Sequence, residues 1–400
     1  MRFPEFEKGW DAKTLGNIAM FSKGKGLSKS DISENGVTEC IRYGELYTTY
    51  NETINTVISK TNINPDDLVL SETNDIIIPA SGETHIDIAK ASCVLKSGVA
   101  LGGDLNIIRT PNNGVFLSYY LNSSKKQDIA QLAQGISVVH LYAGQLSKLQ
   151  LNLPTLSEQQ KIASFITAID QKISQIKHKK NLLEQYKKGV MQKIFSQQIR
   201  FKDDNREDYP KWENKKLSEY LYVSKNKNFT GKYGKVDVLS VSGDYGIVNQ
   251  IEFQGRSFAG ESVLNYGEVE TGDIVYTKSP LKNNPYGIIK VNKGKAGIVS
   301  TLYAVYKCKD NAIGEYFDYY FQLDEKLNGY LRPLVHKGAK NDMKINNERV
   351  LIDTLSVPCK KEQEKIVTFL KAIDNKINHI QKQIEKAEAW KKGLMKQMFV

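Results

Sequence analysis

A glycine-rich basic segment near the start of the chain has the composition of a phosphate-contacting loop. The sequence GKGLSKSDI begins at Gly24, and Lys23, Lys25 and Lys29 surround its two glycines. Backbone amides and ammonium groups in such a turn can meet phosphate oxygens. The GxxxxGK[ST] spacing is missing, so the segment is not a P-loop. A contact loop for nucleic acid and a plain charged turn both fit these residues.

A second candidate segment is IRYGELYTTY, which begins at Ile41. Arg42 can grip a guanine edge or a phosphate, and we expect Arg42, Tyr43 and Tyr47 to contact nucleic acid. The alternative is that these aromatic residues lie in the core, because we expect the segment to form a strand. Further candidate contacts outside this segment are Ser81, Lys225 and Lys227.

The loop TKSPLKNNPYG in the second half contains a partial copy of the NPPY motif of amino-methyltransferases. The second proline is absent, and the chain has no FxGxG-type turn after a strand to hold S-adenosylmethionine. We therefore expect a polar loop that reads base edges, since asparagine suits adenine. Its candidate residues are Lys278, Ser279, Asn283 and Asn284.

Composition excludes several other classes of protein. The 400 residues include 56 Lys+Arg and 45 Asp+Glu, which gives a net charge of +11 and suggests an acidic partner. The five histidines form no HExxH pair and the four cysteines form no CxxC pair, so no bound metal is expected. The cysteine thiols are expected to be reduced. No set of catalytic residues is evident. No apolar stretch approaches the length that spans a bilayer. We expect a cytoplasmic protein.

An internal duplication organises the chain. The 43 residues from Pro154 to Ser196 align without a gap onto those from Pro358 to Val400, with 18 identities. Weaker similarity links the regions before each copy. We therefore expect globular domains at 1–154 and 201–357, and helices at 155–200 and 358–400. Two basic clusters coincide with the helices: residues 151–200 carry 9 basic and 3 acidic side chains, and 359–400 carry 10 and 5. A solvated helix face would have the same composition.

Each repeated helix has apolar residues in alternating steps of four and three, which predicts a left-handed coiled coil. The alternative is an amphipathic helix lying on its own domain. Lys180, Lys187 and Lys391 interrupt the pattern, and Ser157 with Gln160 has the spacing of a capping box. The residues expected to pair the helices are Ile162, Ile166, Ile169, Ile173, Ile176, Leu183, Ile366, Leu370, Ile373, Ile377, Ile380 and Ile384.

Each region before a helix is predicted to be mixed α/β. In the first, strands are expected at IRY, LVL, DIII and NII, and helices at VFLSYYL and in the stretch up to Gln134. In the second, strands are expected at VDVLSVS, GDIVYT, YGIIKV and GIVSTLYAVYK, followed by one helix over EYFDYYFQLDEKLNGYL. The fold class is thus α/β (α+β), with two tandem domains and two long helices.

The duplicated chain resembles the specificity subunit of Type I restriction-modification enzymes. The resemblance rests on the two PxxxxEQxKI…AID.KI helices, the RFPEFEKGW opening and the QGISVVHL…LNLPTL lead-in, and it covers the whole chain. Members of the family often carry a short segment before this opening, so a trimmed N-terminus would account for its position here. Two self-contained alternatives remain open from the residues: a methyltransferase or nuclease with its own specificity domains, and a coiled-coil adaptor that does not bind DNA.

The resemblance implies a non-catalytic subunit whose two domains each read half of a bipartite double-stranded DNA target. It implies an antiparallel helix pair with pseudo-two-fold symmetry that docks two methyltransferase subunits, with restriction-translocase subunits joining them. S-adenosylmethionine would be bound by the methyltransferase subunits and no cofactor by this chain. The lead-ins to the helices would lie against DNA, with candidates Gln134, Ser137, Lys337, Lys340 and Asn341.

Overall fold

Two helices of 40 and 39 residues, Leu156–Phe195 and Lys360–Met398, lie at the repeated segments. The computed structural model of the protein describes residues 1–281, 283–335, 343 and 345–399. The chain divides into a first unit, Met1–Lys177 with Lys382–Val400, and a second unit, His178–Gln381. Each long helix therefore contributes one part to each unit. The tandem mixed α/β fold expected from the sequence is confirmed.

The cap of the first long helix differs from the expected capping box. The helix begins at Leu156, so Ser157 lies inside its first turn. Thr155 instead precedes the helix, and its Oγ1 accepts a hydrogen bond from the Glu158 amide at 3.4 Å. The Ser157 hydroxyl lies 3.1 Å from that of Thr155. The capping prediction was wrong by two residues, because the threonine, and not the serine, satisfies a free amide of the first turn.

The first unit is built on a five-stranded sheet in which only the pair formed by the last two strands is parallel. In spatial order its strands are Met20–Lys23, Leu105–Arg109, Asp75–Pro79, Ser92–Val94 and Thr53–Ile54. A three-stranded sheet contains Ser59–Thr61, Thr38–Ile41 and Ala100–Leu101. Two strand pairs are Asp11–Thr14 with Gln150–Leu153 and Ser81–Gly82 with Val139–His140. The short helices are Leu15–Ile18, Tyr43–Thr48, His85–Ile88, Gly114–Asn122, Lys126–Leu132 and Ala143–Leu146, with 3-10 turns at Lys29–Asp31 and Pro65–Asp67.

The second unit contains a four-stranded antiparallel sheet. In spatial order its strands are Leu221–Val223, Tyr303–Cys308, Ile274–Thr277 and Ile289–Val291. Three strand pairs are Glu213–Lys216 with Thr354–Val357, Leu239–Ser242 with Gly246–Asn249, and Gly267–Val269 with Gly297–Val299. The short helices are Gln250–Gln254, Gly314–Phe321 and Asp324–Leu331, with 3-10 turns at Leu217–Glu219, Lys235–Asp237 and Asn347–Leu351.

Four local predictions were wrong. Leu68 begins no strand, and within LVL only Leu70 makes a single bridge. The strand at Ile41 ends there, and the tyrosines after it lie on a helix. GIVSTLYAVYK forms two strands separated by a turn, and the single helix expected after it is broken at Gln322 and Leu323. The last two errors joined elements across a turn, and the first two assigned short apolar runs to strands, because hydrophobicity alone does not mark where such elements end.

The outer ends of the long helices are part of the core of each unit. In the first unit, Ile162 and Ile166 pack in one buried cluster with Phe116 and with Leu394 of the second long helix. In the second unit, Leu370 packs in the corresponding cluster with residues of the first long helix and of Gly314–Phe321. The helices thus share a core at these ends and also lie on the domains, which is the amphipathic alternative; the shared cores are consistent with the predicted coiled coil.

Candidate nucleic-acid interface

Lys23, Arg42 and Tyr43 line one cleft of the first unit, with a volume of about 530 Å³. Lys23 ends an edge strand of the five-stranded sheet, and Arg42 precedes the helix Tyr43–Thr48. Asp31 also lines the cleft, so its charge is mixed. Two cations beside an aromatic ring can hold a phosphate or a base edge.

The Arg42 guanidinium retains hydrogen-bonding capacity toward this cleft. Its Nη2 lies 3.6 Å from Glu45 Oε1, and its backbone amide donates to Glu45 Oε2 at 2.8 Å. Its Nε is buried and has no hydrogen-bond partner among the residues that the structure describes. A buried donor without an acceptor costs about 1–3 kcal/mol, so a movement of the side chain that gave this Nε an acceptor would be favourable.

A second cleft of about 690 Å³ collects four of the predicted residues. Tyr47 donates a hydrogen bond from its hydroxyl to the Ser81 carbonyl at 2.8 Å, and burial raises the pKa of this tyrosine, so the hydroxyl remains a donor. The Tyr43 ring meets the Tyr47 ring edge-on at 6.4 Å. The predicted residues in this cleft are Tyr43, Tyr47, Ser81 and Ser137.

Two lysines that sequence reasoning missed, Lys90 and Lys126, also line this second cleft. Burial is the main cause that lowers the pKa of Lys90, and the charge of Glu52 acts in the opposite direction. An anion in the cleft would offset the cost of holding this ammonium charged. Lys90 has no basic neighbour in the sequence, and the adjacent pair Lys125 and Lys126 has no glycines or aromatic residues beside it that would mark a binding segment. Glu83 and Asp87 line the cleft as well, so it contains charges of both signs, whereas the predicted residues in it are uncharged.

The other candidates in the first unit are exposed. Lys25 and Lys29 lie at the surface outside both clefts, and Lys29 opens a 3-10 turn whose Ser28 amide donates to Asp31 Oδ2 at 2.7 Å. The backbone of Gln134 exchanges two hydrogen bonds with that of His140, and the amide side chain of Gln134 is exposed. These residues surround the clefts without entering them.

In the second unit the candidate residues fall into two places. Lys278 lies close enough to Lys227 for their charges to interact, and this repulsion adds to burial in lowering the pKa of Lys278. Lys225, two residues before Lys227, and Ser279, next to Lys278, are both exposed. This group forms a basic surface able to meet phosphates.

Asn283 and Asn284 line a different cleft of the second unit, with a volume of about 980 Å³. The Asn284 side chain donates to Asp324 Oδ1 at 2.7 Å, so its amide is already engaged within the domain. Lys290, which the sequence did not single out, lines the same cleft, and burial lowers its pKa. Lys337, Lys340 and Asn341 lie outside the described residues.

Two buried glutamates at the start of the long helices fix the N-terminal segment of each unit. Glu158 Oε1 lies 2.6 Å from Arg2 Nε, and Glu362 Oε2 lies 2.6 Å from Arg200 Nη2. The indole of Trp212 also donates to Glu362, at 3.1 Å. The repeated glutamate of the EQ motif is therefore a structural anchor. Sequence reasoning noted the repeat without identifying this role.

Two of the three lysines that interrupt the heptads, Lys187 and Lys391, make matching ion pairs in the two units, whereas Lys180 pairs with Glu184 of its own helix. In the first unit, Lys391 Nζ lies 2.6 Å from Asp170 Oδ1, and the Tyr119 hydroxyl donates to Asp170 Oδ2 at 2.6 Å. In the second unit, Lys187 occupies the same role, 2.6 Å from Asp374 Oδ1. The Tyr319 hydroxyl donates to Asp374 at 2.7 Å. We call each set a Tyr–Asp–Lys triad. Each triad joins the two long helices to a short helix of the domain.

The predicted pairing residues follow the same division. Ile373 and Ile366 are buried in the core of the second unit, and Ile169 and Ile377 pack partly against the core of the first and second unit respectively. Ile173, Ile380 and Ile384 are also buried. Ile176 and Leu183, towards the middle of the first helix, are half-buried. Burial along the stripe is therefore greatest away from the centre of this helix.

Metal-ion and membrane chemistry receive no support from the part of the chain that the structure describes. In residues 1–281, 283–335, 343 and 345–399, no group of three His, Cys, Asp or Glu side chains could hold a metal ion. Over the same residues, no helix is long and apolar enough to cross a membrane.

Comparison with known proteins identifies a family. The model of the Type I restriction modification DNA specificity domain matches twice, over residues 7–185 and 209–389. A specificity subunit of the Type I restriction enzyme MjaVIII from Methanocaldococcus jannaschii is 25% identical over 411 residues, covering 99% of this chain and 92% of that protein. A putative specificity subunit of the enzyme MjaX from the same organism is 24% identical over 312 residues, covering 74% of this chain and 70% of that protein.

Solved structures show the same fold. The S subunit of a Type I restriction-modification system from M. genitalium matches with a TM-score of 0.58 at 14% identity, covering 98% of this chain and 96% of that one. A chain solved in a study of complex assembly and conformational transition of the type I R-M system matches with a TM-score of 0.56 at 15% identity, covering 98% and 97%.

Proposed function

Because the chain belongs to the family of Type I restriction modification DNA specificity domains, we propose that each of its units reads one half of a bipartite double-stranded DNA target. DNA sequence specificity for a Type I restriction-modification enzyme is the function of the family and of this chain. The proposal divides that function between the units. The observation that carries it is the duplication: one domain matches twice, and each copy has its own cleft in which lysines lie among other polar side chains.

The two sets of clefts differ in their side chains, which favours two different half-sites. The first unit offers Arg42, Tyr43 and Tyr47 beside lysines, and the second offers Asn283 beside Lys290. Arginine suits guanine and asparagine suits adenine in the major groove. Two related readers on one chain match a duplex whose half-sites are separated by about one helical turn, ~34 Å.

The remaining parts of the enzyme are proposed as partners. We infer that this chain is non-catalytic, that two methyltransferase subunits with bound S-adenosylmethionine dock on the long helices, and that restriction-translocase subunits join them. The complex would act on chromosomal DNA in the cytoplasm. Basic residues on the long helices away from the triads are available for this docking. The balance of charge in the domains is close to neutral, so tight DNA binding is expected of the complex and not of the isolated chain.

Methylome sequencing tests the proposal. A strain carrying this chain with its methyltransferase subunits should acquire methylation at one bipartite motif, and a strain lacking this chain should not. Isothermal titration of the isolated chain with S-adenosylmethionine should show no binding. A continuous motif, or methylation by this chain without methyltransferase subunits, would contradict the proposal and favour a self-contained methyltransferase.

A further inference from the structure

The tip of one hairpin in the first unit exposes apolar side chains to solvent. Ile136 is 98% exposed and Val138 is 53% exposed, on either side of Ser137. Single exposed apolar residues are common on protein surfaces. An isoleucine at this exposure on the end of an ordered hairpin, beside a candidate binding cleft, needs a more specific account.

The hairpin is firmly built. Gln134 and His140 exchange backbone hydrogen bonds of 2.9 and 2.7 Å at its base, and Val139–His140 pairs with Ser81–Gly82. Gly135 has a φ of +121°, and a Cβ there would lie 2.1 Å from the Val138 carbonyl oxygen. Only glycine therefore permits this turn, and the turn holds Ile136 at the tip.

The surroundings of the tip indicate the kind of partner. Ser137 and Val138 line the 690 Å³ cleft together with Tyr47, Lys90 and Lys126. Glu83 and Asp87 line the cleft beside these lysines, and the ammonium groups can also meet the phosphates that flank a DNA groove. The apolar tip and the lysines can then contact one partner together, the tip inside a groove and the ammonium groups at its edge.

The geometry points to the major groove. A groove about 12 Å wide admits elements as broad as a two-stranded ribbon, and this turn, which one Gln134–His140 bridge closes, is no broader. The apolar group that base edges present there is the C5-methyl of thymine. We propose that Ile136 contacts the methyl group of a thymine in the half-site read by the first unit. The inference rests on the proposed function of that unit and adds a specificity-determining residue to it.

The test uses the purified complex of this chain with its methyltransferase subunits. DNA duplexes are prepared that contain the motif found by methylome sequencing. In the half-site read by the first unit, each thymine is replaced, one at a time, by deoxyuridine, which lacks only the methyl group. Affinity is measured by fluorescence anisotropy competition for the wild type and for Ile136→Ala. Val37→Ala, which truncates an 82% exposed valine of the same unit outside both clefts, is the matched control.

For the wild type and Val37→Ala, one deoxyuridine substitution should weaken binding about four-fold, the effect of losing one buried methyl contact. Ile136→Ala should bind that duplex and the thymine duplex equally, because the partner of the methyl group is gone. Deoxyuridine in the other half-site should give no effect that depends on Ile136.

Two failures are distinguishable. If the wild-type complex binds the motif no better than random DNA, the proposed function itself fails. The second failure is that the wild-type complex binds the motif specifically while every deoxyuridine substitution weakens binding of Ile136→Ala as much as it weakens binding of the wild type. That result would overturn only the thymine contact. Ile136→Asn, which keeps a side chain of similar length without apolar character, should behave like Ile136→Ala; a retained four-fold discrimination by it would also overturn the contact.

Discussion

Replacing Lys391 by methionine tests whether the lysines that interrupt the heptads stabilise the protein through the Tyr–Asp–Lys triads. Methionine fills the same space and restores an apolar residue to the stripe, so a purely hydrophobic account predicts higher stability. The triad predicts the reverse. Asp170 would lose the ion pair of 2.6 Å and keep only the hydrogen bond from Tyr119.

The size of the expected loss in unfolding free energy follows from the solvent exposure of the two side chains of the ion pair. The Lys391 side chain is 16% exposed and that of Asp170 is 32% exposed, so the pair lies between a surface pair and a buried one. Surface pairs contribute about 0.2–1 kcal/mol, and breaking a fully buried pair costs about 3–5 kcal/mol. We expect a loss of about 1–2 kcal/mol, which includes the contact of the Lys391 ammonium with the face of the Tyr119 ring at 5.0 Å.

Differential scanning calorimetry of the full chain provides the assay. For a unit of this size, the expected loss corresponds to a decrease in melting temperature of about 2–8 °C. Lys392→Met changes the exposed neighbouring lysine on the same helix and should leave the melting temperature nearly unchanged. A double-mutant cycle with Asp170→Asn should give a coupling of about 1 kcal/mol. A melting temperature of the Lys391→Met chain equal to that of the wild type, or higher, would refute this reasoning.

Three further outcomes are expected. Lys90→Gln and Lys126→Gln should each weaken DNA binding by the complex and reduce the salt slope by about 1, and unchanged slopes would remove them from the interface. Inserting four helix-forming residues between Ile176 and Leu183 adds ~6 Å of helix and should lengthen the unread spacer by about one or two base pairs in the methylome, whereas the parental spacer would mean that the helices do not set it. Burial raises the pKa of Cys40 to about 11, so native protein at pH 8 should show slower iodoacetamide labelling at Cys40 than urea-unfolded protein by mass spectrometry, and equal labelling would contradict its burial.

The duplication and the long helices were predictable because they depend on patterns that extend over many residues. A 3.5-residue apolar repeat sustained over 40 residues requires a helix with one buried stripe, and the structure has it. The interruptions at Lys187 and Lys391 had no explanation within their own helices. Their partners, Asp374 and Asp170, lie on the opposite long helix in each case, and only the fold brings them together.

The clefts were less predictable, because they combine residues from distant segments. Tyr43 and Tyr47 were assigned to a strand and lie instead on a helix; residues four apart share one face in either element, so what the sequence could not show is which distant segments complete their cleft. Lys90 and Lys126 have no neighbours that mark them as binding residues. Ile136 has the composition of a core residue, and only its position at the tip of a hairpin makes it a candidate contact.

The central claim, that each unit reads its own half-site, is tested most directly by exchanging one domain. Residues 1–150 are replaced by the first domain of another family member, and the methylome of a strain carrying the chimaera with its methyltransferase subunits is sequenced. The account predicts that one half of the bipartite motif changes, while the other half and the spacing remain. A change in both halves, or no change in either, would contradict it.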